Sequence, residues 1–194
     1  MEARIHAAPV PLPARSDWPT LRAPDFEYRR VRASGTFRAG HDTLVQAVTQ
    51  DGAGFWVMTP LRTAEGTVLV NRGFVPGERA EARSRALPPP PGSAVVVGLL
   101  RASEPGGGFL RANDPASGRW YSRDVAAIAR ATGVEPVAPF FIDADRSAIP
   151  GYPQGGMTTV HFANNHLVYA ATWFALAALS GLAAWRLANE RPDR

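Results

Sequence analysis

The chain has 194 residues, and its basic groups are all Arg, 21 with no Lys, against 17 acids for a formal charge of +4. The arginines are scattered, which argues against nucleic-acid binding, where cations cluster on one face with interleaved aromatics. Zero cysteines exclude a disulfide frame, a thiolate nucleophile, a Cys-ligated metal and an iron–sulfur cluster.

Residues 1–24 read as an extended, Pro-rich lead-in carrying Pro9, Pro11, Pro13, Pro19 and Pro24. Residues 25–163 read as a β-rich domain on the outer side of a membrane. Its first half predicts strands at Tyr28 to Arg38, Thr43 to Thr49, Gly54 to Thr59 and Thr67 to Asn71. The turn formers Gly40, Asp51-Gly52 and Glu65-Gly66 separate them as in an antiparallel meander. Pro88 to Pro91 form a polyproline-type spacer that ends one sheet segment. Ser93 to Ala102, rich in Val and Leu, predicts a central strand, and Gly106-Gly107-Gly108 then read as a flexible linker, since no Gly-Lys-Ser/Thr of a phosphate loop follows. One short helix is predicted with Ser122 as cap, Asp124 in its first turn, Val125, Ile128 and Ala129 on its apolar face, and Gly133 as its stop. Strands follow at Phe140 to Asp143 and Met157 to Phe162.

Leu167 to Trp185 carry no Pro and no charge and end against Arg186. At about 1.5 Å per residue their roughly 19 residues cover nearly 30 Å, so residues 164–186 predict a transmembrane helix and 187–194 a cytoplasmic tail. Arg186, Arg191 and Arg194 lie downstream of the span, whereas Ser147 to His166 contain no Arg or Lys, which places the C-terminus in the cytoplasm. Met1 to Pro13 hold no charged and apolar export signal. The expectation is therefore that the chain begins at an internal Met downstream of a first span, the alternative being a tail-anchored protein with a cytoplasmic domain. The predicted class is α+β: a mainly antiparallel sheet domain, barrel- or sandwich-like, with one short helix and a C-terminal transmembrane helix.

No catalytic constellation is legible. The four histidines lack metal-ligand spacing, no Gly-x-Ser-x-Gly elbow occurs, and Asp143 and Asp145 read as solvated turn carboxylates, so the chain reads as a non-enzyme without a protein-only metal site. His166 opens the predicted span, with Tyr169, Ala170 and Trp173 on its helical face. Two accounts fit this stripe: a polar-aromatic belt at headgroup level, or an axial imidazole over flat aromatic walls that hold a porphyrin. Ala177, Gly181 and Ala184 offer a small-residue face on which another helix can pack closely.

Two segments carry a resemblance: Val68-Leu69-Val70-Asn71-Arg72-Gly73-Phe74-Val75-Pro76, and Asn165-His166-Leu167 followed by Tyr169-Ala170 and Thr172-Trp173-Phe174. They resemble the two signatures of the surfeit locus protein 1 family, assembly factors for cytochrome c oxidase; Val57, Thr59-Pro60-Leu61 and Trp120 are supporting matches. The family usually has Trp where Phe74 stands. The resemblance implies an inner-membrane protein with two spans around a β-rich domain, acting in respiratory complex IV assembly. It further implies handling of haem a for oxidase subunit I, with haem a synthase as a further partner. On that pattern His166 is the haem ligand, the only metal contact implied, with Tyr169 and Trp173 beside it, while Asn71, Arg72, Gly73 and Asn165 form the structural or partner motif. Physically, Asn71, Arg72 and Gly73 fit a strand-end turn stiffened by Pro76, or a contact with haem propionates or oxidase through Arg72. Two other classes remain: a scaffold that binds oxidase subunits without haem, and a membrane-tethered hydrolase.

Overall fold

A computed structural model describes residues 2–77, 88–108, 110–146, 151, 153–157 and 166–189. Among the described residues seven strands form one sheet: β1 (Val10–Pro11), β2 (Arg30–Phe37), β3 (Thr43–Thr49), β4 (Gly52–Thr63), β5 (Gly66–Pro76), β6 (Ser93–Ala102) and β7 (Val137–Ala144). The helices are α1 (Glu2–Ile5), α2 (Ala23–Phe26), α3 (Val125–Thr132) and α4 (His166–Asn189). The chain divides into two units, Met1–Thr158 and Thr159–Arg194.

Asp51-Gly52 and Glu65-Gly66 turn the chain as their composition predicts, with Gly52 and Gly66 at φ 97° and 129°. The pairing beyond those hairpins is not a meander. The strand order is β1-β2-β6-β7-β5-β4-β3, and β2 also pairs with β4 from Gly35 opposite Thr63 to Phe37 opposite Leu61. That pairing closes β2, β6, β7, β5 and β4 into a five-stranded barrel, so the barrel alternative is the one realised. Closure depends on Gly35, where a Cβ would lie 2.2 Å from the Arg62 carbonyl oxygen. Within the wall β5 and β7 run parallel, which requires the long crossover through β6 and α3.

Strand alternation separates two cores. Val31, Leu61, Val68, Val70, Leu100, Phe140 and Ile142 fill the barrel, each fully buried. On the outer face Met58, Leu69 and Phe141 meet Val125 and Ile128 of α3, with Val45 and Trp120 alongside. Each such side chain contributes roughly 1.5–3 kcal/mol through removal from water.

Residues 10–26 are not a free lead-in. β1 pairs in parallel with β2, Val10 opposite Val31, and Trp18 meets Phe140 edge to face at 6.0 Å while its indole N–H donates to the Pro13 carbonyl at 3.1 Å. An apolar ring outweighs the extended preference of the prolines around it. The triple glycine is not a loose linker either: Gly108 bridges to Arg111, and the Gly107 N–H donates to Ser122 Oγ at 3.1 Å. Ser122 is thereby committed to this turn, and the α3 cap is Asp124, which accepts from the Ala127 N–H at 3.0 Å. Of the strand expected at Met157 to Phe162, all but Met157 lies outside the described residues, and Met157 itself has no strand geometry.

The predicted C-terminal transmembrane segment forms one continuous helix, but a span is not supported: among the described residues no helix is long and apolar enough to cross a membrane.

Candidate functional site

The Asn71-Arg72-Gly73 segment lies inside β5, not at its end. Trp56 of β4 faces Phe74, yet Met58 faces Asn71, so β5 spends one extra residue here and forms a β-bulge. Gly73 sits at φ 130°, and a Cβ there would lie 2.2 Å from the Gln154 carbonyl carbon. The close approach allows Phe74 and Gln154 to exchange backbone hydrogen bonds of 3.0 and 2.9 Å. The expected strand-end turn is thus corrected: glycine is required by a second segment crossing the strand, and Pro76 closes β5 three residues later.

Asn71 faces outward with Leu69. Its Nδ2 donates to Asp143 Oδ1 at 2.8 Å, and its Oδ1 accepts from the Gly73 N–H at 3.1 Å, so one side chain fixes both the bulge and the neighbouring parallel strand β7. Asp143 is buried, contrary to the solvated turn carboxylate expected from sequence. It also accepts from Arg101 Nη1 at 3.0 Å and Arg123 Nη1 at 3.1 Å. Arg123 forks onto Glu104 through Nε and Nη2 and lies over the Phe141 ring at 4.8 Å. Arg101 reaches Glu27 at 3.6 Å and lies over Tyr28 at 4.9 Å. Burial pushes the Glu104 carboxyl up, but the Arg123 hydrogen bonds and the charges of Arg123 and Arg101 outweigh it and hold the group below the usual carboxylate range. Burial likewise opposes the charge on Arg123, and Glu104 with Asp143 more than offsets it, so this guanidinium is held above its ordinary value. Asp145, the other acid of the pair, binds Arg30 across the sheet.

Arg72 belongs to the other side of the wall. Val68 and Val70 point into the barrel, and Arg72 is half-buried at its mouth, with its guanidinium 5.8 Å from the Phe37 ring and Nη2 3.5 Å from the Pro88 carbonyl. Burial lowers its pKa, opposed by the charge of Asp42. Asp42 accepts a hydrogen bond from the fully buried Thr59, and burial pushes its carboxyl up against that bond and the charges of Arg72 and His41. A half-buried guanidinium beside an aromatic ring suits a carboxylate ligand.

His166 and Tyr169 lie in α4, Trp173 is 68 % exposed there, and Asn165 lies outside the described residues. The fold therefore brings Asn71, Arg72 and Gly73 together in the first unit, while the three proposed haem contacts belong to the second. Arg101, Glu104, Arg123 and Asp143 were missed by sequence reasoning. The available signal was Asp143 itself, an acid two residues after Phe141 on the same face of an apolar strand, which demands a cationic partner.

A model of the SURF1 family matches residues 1–178. The chain belongs to the SURF1 family. Surfeit locus protein 1 of Homo sapiens is 36 % identical over 199 residues, covering 92 % of this chain and 63 % of the human protein. The Rattus norvegicus protein is 35 % identical, covering 92 % and 62 % of the respective chains, and the SURF1-like protein of Monosiga brevicollis 34 %, covering 95 % and 74 %. The chain thus spans less than two thirds of the length of the two mammalian family members.

Proposed function

We propose that this SURF1-family chain is an assembly factor for cytochrome c oxidase, membrane-attached and without catalytic activity, that handles haem a for subunit I. The observation that carries the reading is the presence of both family signatures, in order, at Val68 to Pro76 and at Asn165 to Phe174. In this reading the His166 imidazole would hold the haem iron, with Tyr169 and Trp173 beside the cofactor. When bound, the haem supplies only the cargo; the residues hold and orient it. The uncovered side chains of Trp173, Phe174, Leu179 and Trp185 on α4 support attachment to an inner membrane, with the β-barrel on the periplasmic side and the Arg-rich end in the cytoplasm.

The test is the absorbance spectrum of the protein purified from cells that make haem a. His166→Ala is expected to abolish the Soret band while leaving expression intact; an unchanged band removes the ligand role. A second reading, an oxidase-subunit scaffold without haem, is favoured by one observation: the polar groups of this motif are spent within the fold, the Asn71 amide on Asp143 and the Gly73 N–H on Asn71. Retained subunit I in a haem-free pull-down supports the scaffold. Alkaline carbonate extraction tests attachment, and protease protection of the barrel tests its side.

A further inference from the structure

β3 is an edge strand whose free side is used once among the described residues. Gln46 pairs with Phe55 in a register that turns its backbone away from β4, and its N–H donates to the Trp120 carbonyl at 2.8 Å, with Trp120 parallel to Val45. Trp120 and Tyr121 then leave toward α3. Val48 lies two residues beyond Gln46, so its N–H and C=O point outward as well, and they have no partner among the described residues. Its side chain is 88 % exposed. A groove of about 570 Å³ continues along this edge, bounded by Gln46, Val48, Phe55, Gly54, Tyr121 and Arg111. The Arg111 guanidinium lies 5.5 Å from the Tyr121 ring and has no carboxylate partner among the described residues, whereas nearby Arg119 is paired with Asp114.

We propose that this groove binds an extended acidic peptide segment, which adds to β3 where Trp120 departs. The guest exchanges backbone hydrogen bonds with Val48, sets an apolar side chain against Phe55 and Tyr121, and places a carboxylate on Arg111. Three observations converge on this occupant: open backbone groups at an edge, an aromatic wall, and a cation awaiting its counter-ion. The site is independent of haem handling.

The probe is a fluorescein-labelled hexapeptide of alternating Val and Glu, with a Val and Lys counterpart as control, titrated by anisotropy into the full chain at low salt. The acidic peptide is expected to bind at least about tenfold more tightly than the basic one. Arg111→Glu is expected to reverse that preference, an outcome that loss of folding does not produce. Val48→Pro is expected to abolish binding with an unchanged circular dichroism spectrum, because the N–H it removes points away from β4. Equal binding of both peptides, no binding of either, self-association of the chain through this edge, or binding that appears only after deletion of residues 78–87 would overturn the proposal.

Discussion

Replacing Asp143 with Ala tests whether the buried ion network organises the barrel wall. The carboxylate is 4 % exposed and accepts from Asn71, Arg101 and Arg123 at 2.8, 3.0 and 3.1 Å. Removing one partner of a buried ion pair costs about 3–5 kcal/mol, because the other charge stays desolvated. Here Arg101 keeps Glu27 and Arg123 keeps Glu104, both partly exposed, so the lower end applies. The orphaned Asn71 amide adds about 1 kcal/mol, the low end for an unsatisfied buried donor. The sum, about 4 kcal/mol, is a large fraction of the roughly 5–15 kcal/mol that stabilises a domain. For a domain of this size it corresponds to a fall in melting temperature of about 8–16 °C. Urea unfolding followed by tryptophan fluorescence, with a thermal melt in parallel, measures it. A loss below about 1 kcal/mol, the level of an exposed pair, would refute the reasoning.

Gly73→Ala places a Cβ 2.2 Å from the Gln154 backbone at φ 130°, so the Phe74–Gln154 pairing is expected to break at a cost above about 2 kcal/mol, read by urea unfolding and by loss of amide protection at Phe74. Trp18→Ala removes the edge-to-face contact with Phe140 and is expected to cost about 2–3 kcal/mol and to expose Arg15 and Arg22 to trypsin before the barrel is cut. Asp42→Asn is expected to raise the melting temperature at neutral pH. Burial lifts the folded pKa of Asp42 above its ordinary 3.8, so the folded state favours the protonated acid, and that stabilisation fades as pH rises through the folded value. The gain of the amide variant should therefore shrink as pH falls and vanish below about pH 3.8; a melting temperature lowered at neutral pH would contradict this.

The local elements were legible in the sequence because their causes are local. β3 and β6 are observed within their predicted bounds, and the two glycine turns and the stop at Gly133 follow from residue chemistry over a few positions. Barrel closure was not legible, since the β2–β4 pairing depends on a glycine whose neighbour is fixed only in space. The ion network was hidden for the same reason: Asp143 lies 72, 42 and 20 residues from Asn71, Arg101 and Arg123. The signature at Asn71 to Gly73 was located correctly, but as a turn, because Gly followed by Pro three residues later looks alike at a strand end and in a bulge. The terminal helix was read correctly as a helix, while its reading as a span is not supported among the described residues.

The bulge gives neighbouring codons opposite meanings. Asn71 is mortared into the outside of the wall and Arg72 lies half-buried beside Phe37 on its other side, although one peptide bond joins them. Lesions at the first position should reach the cell as scarce protein that proteases clear, whereas lesions at the second should leave abundant protein with impaired recognition. Immunoblot quantity, not sequence proximity, would sort variants along this segment.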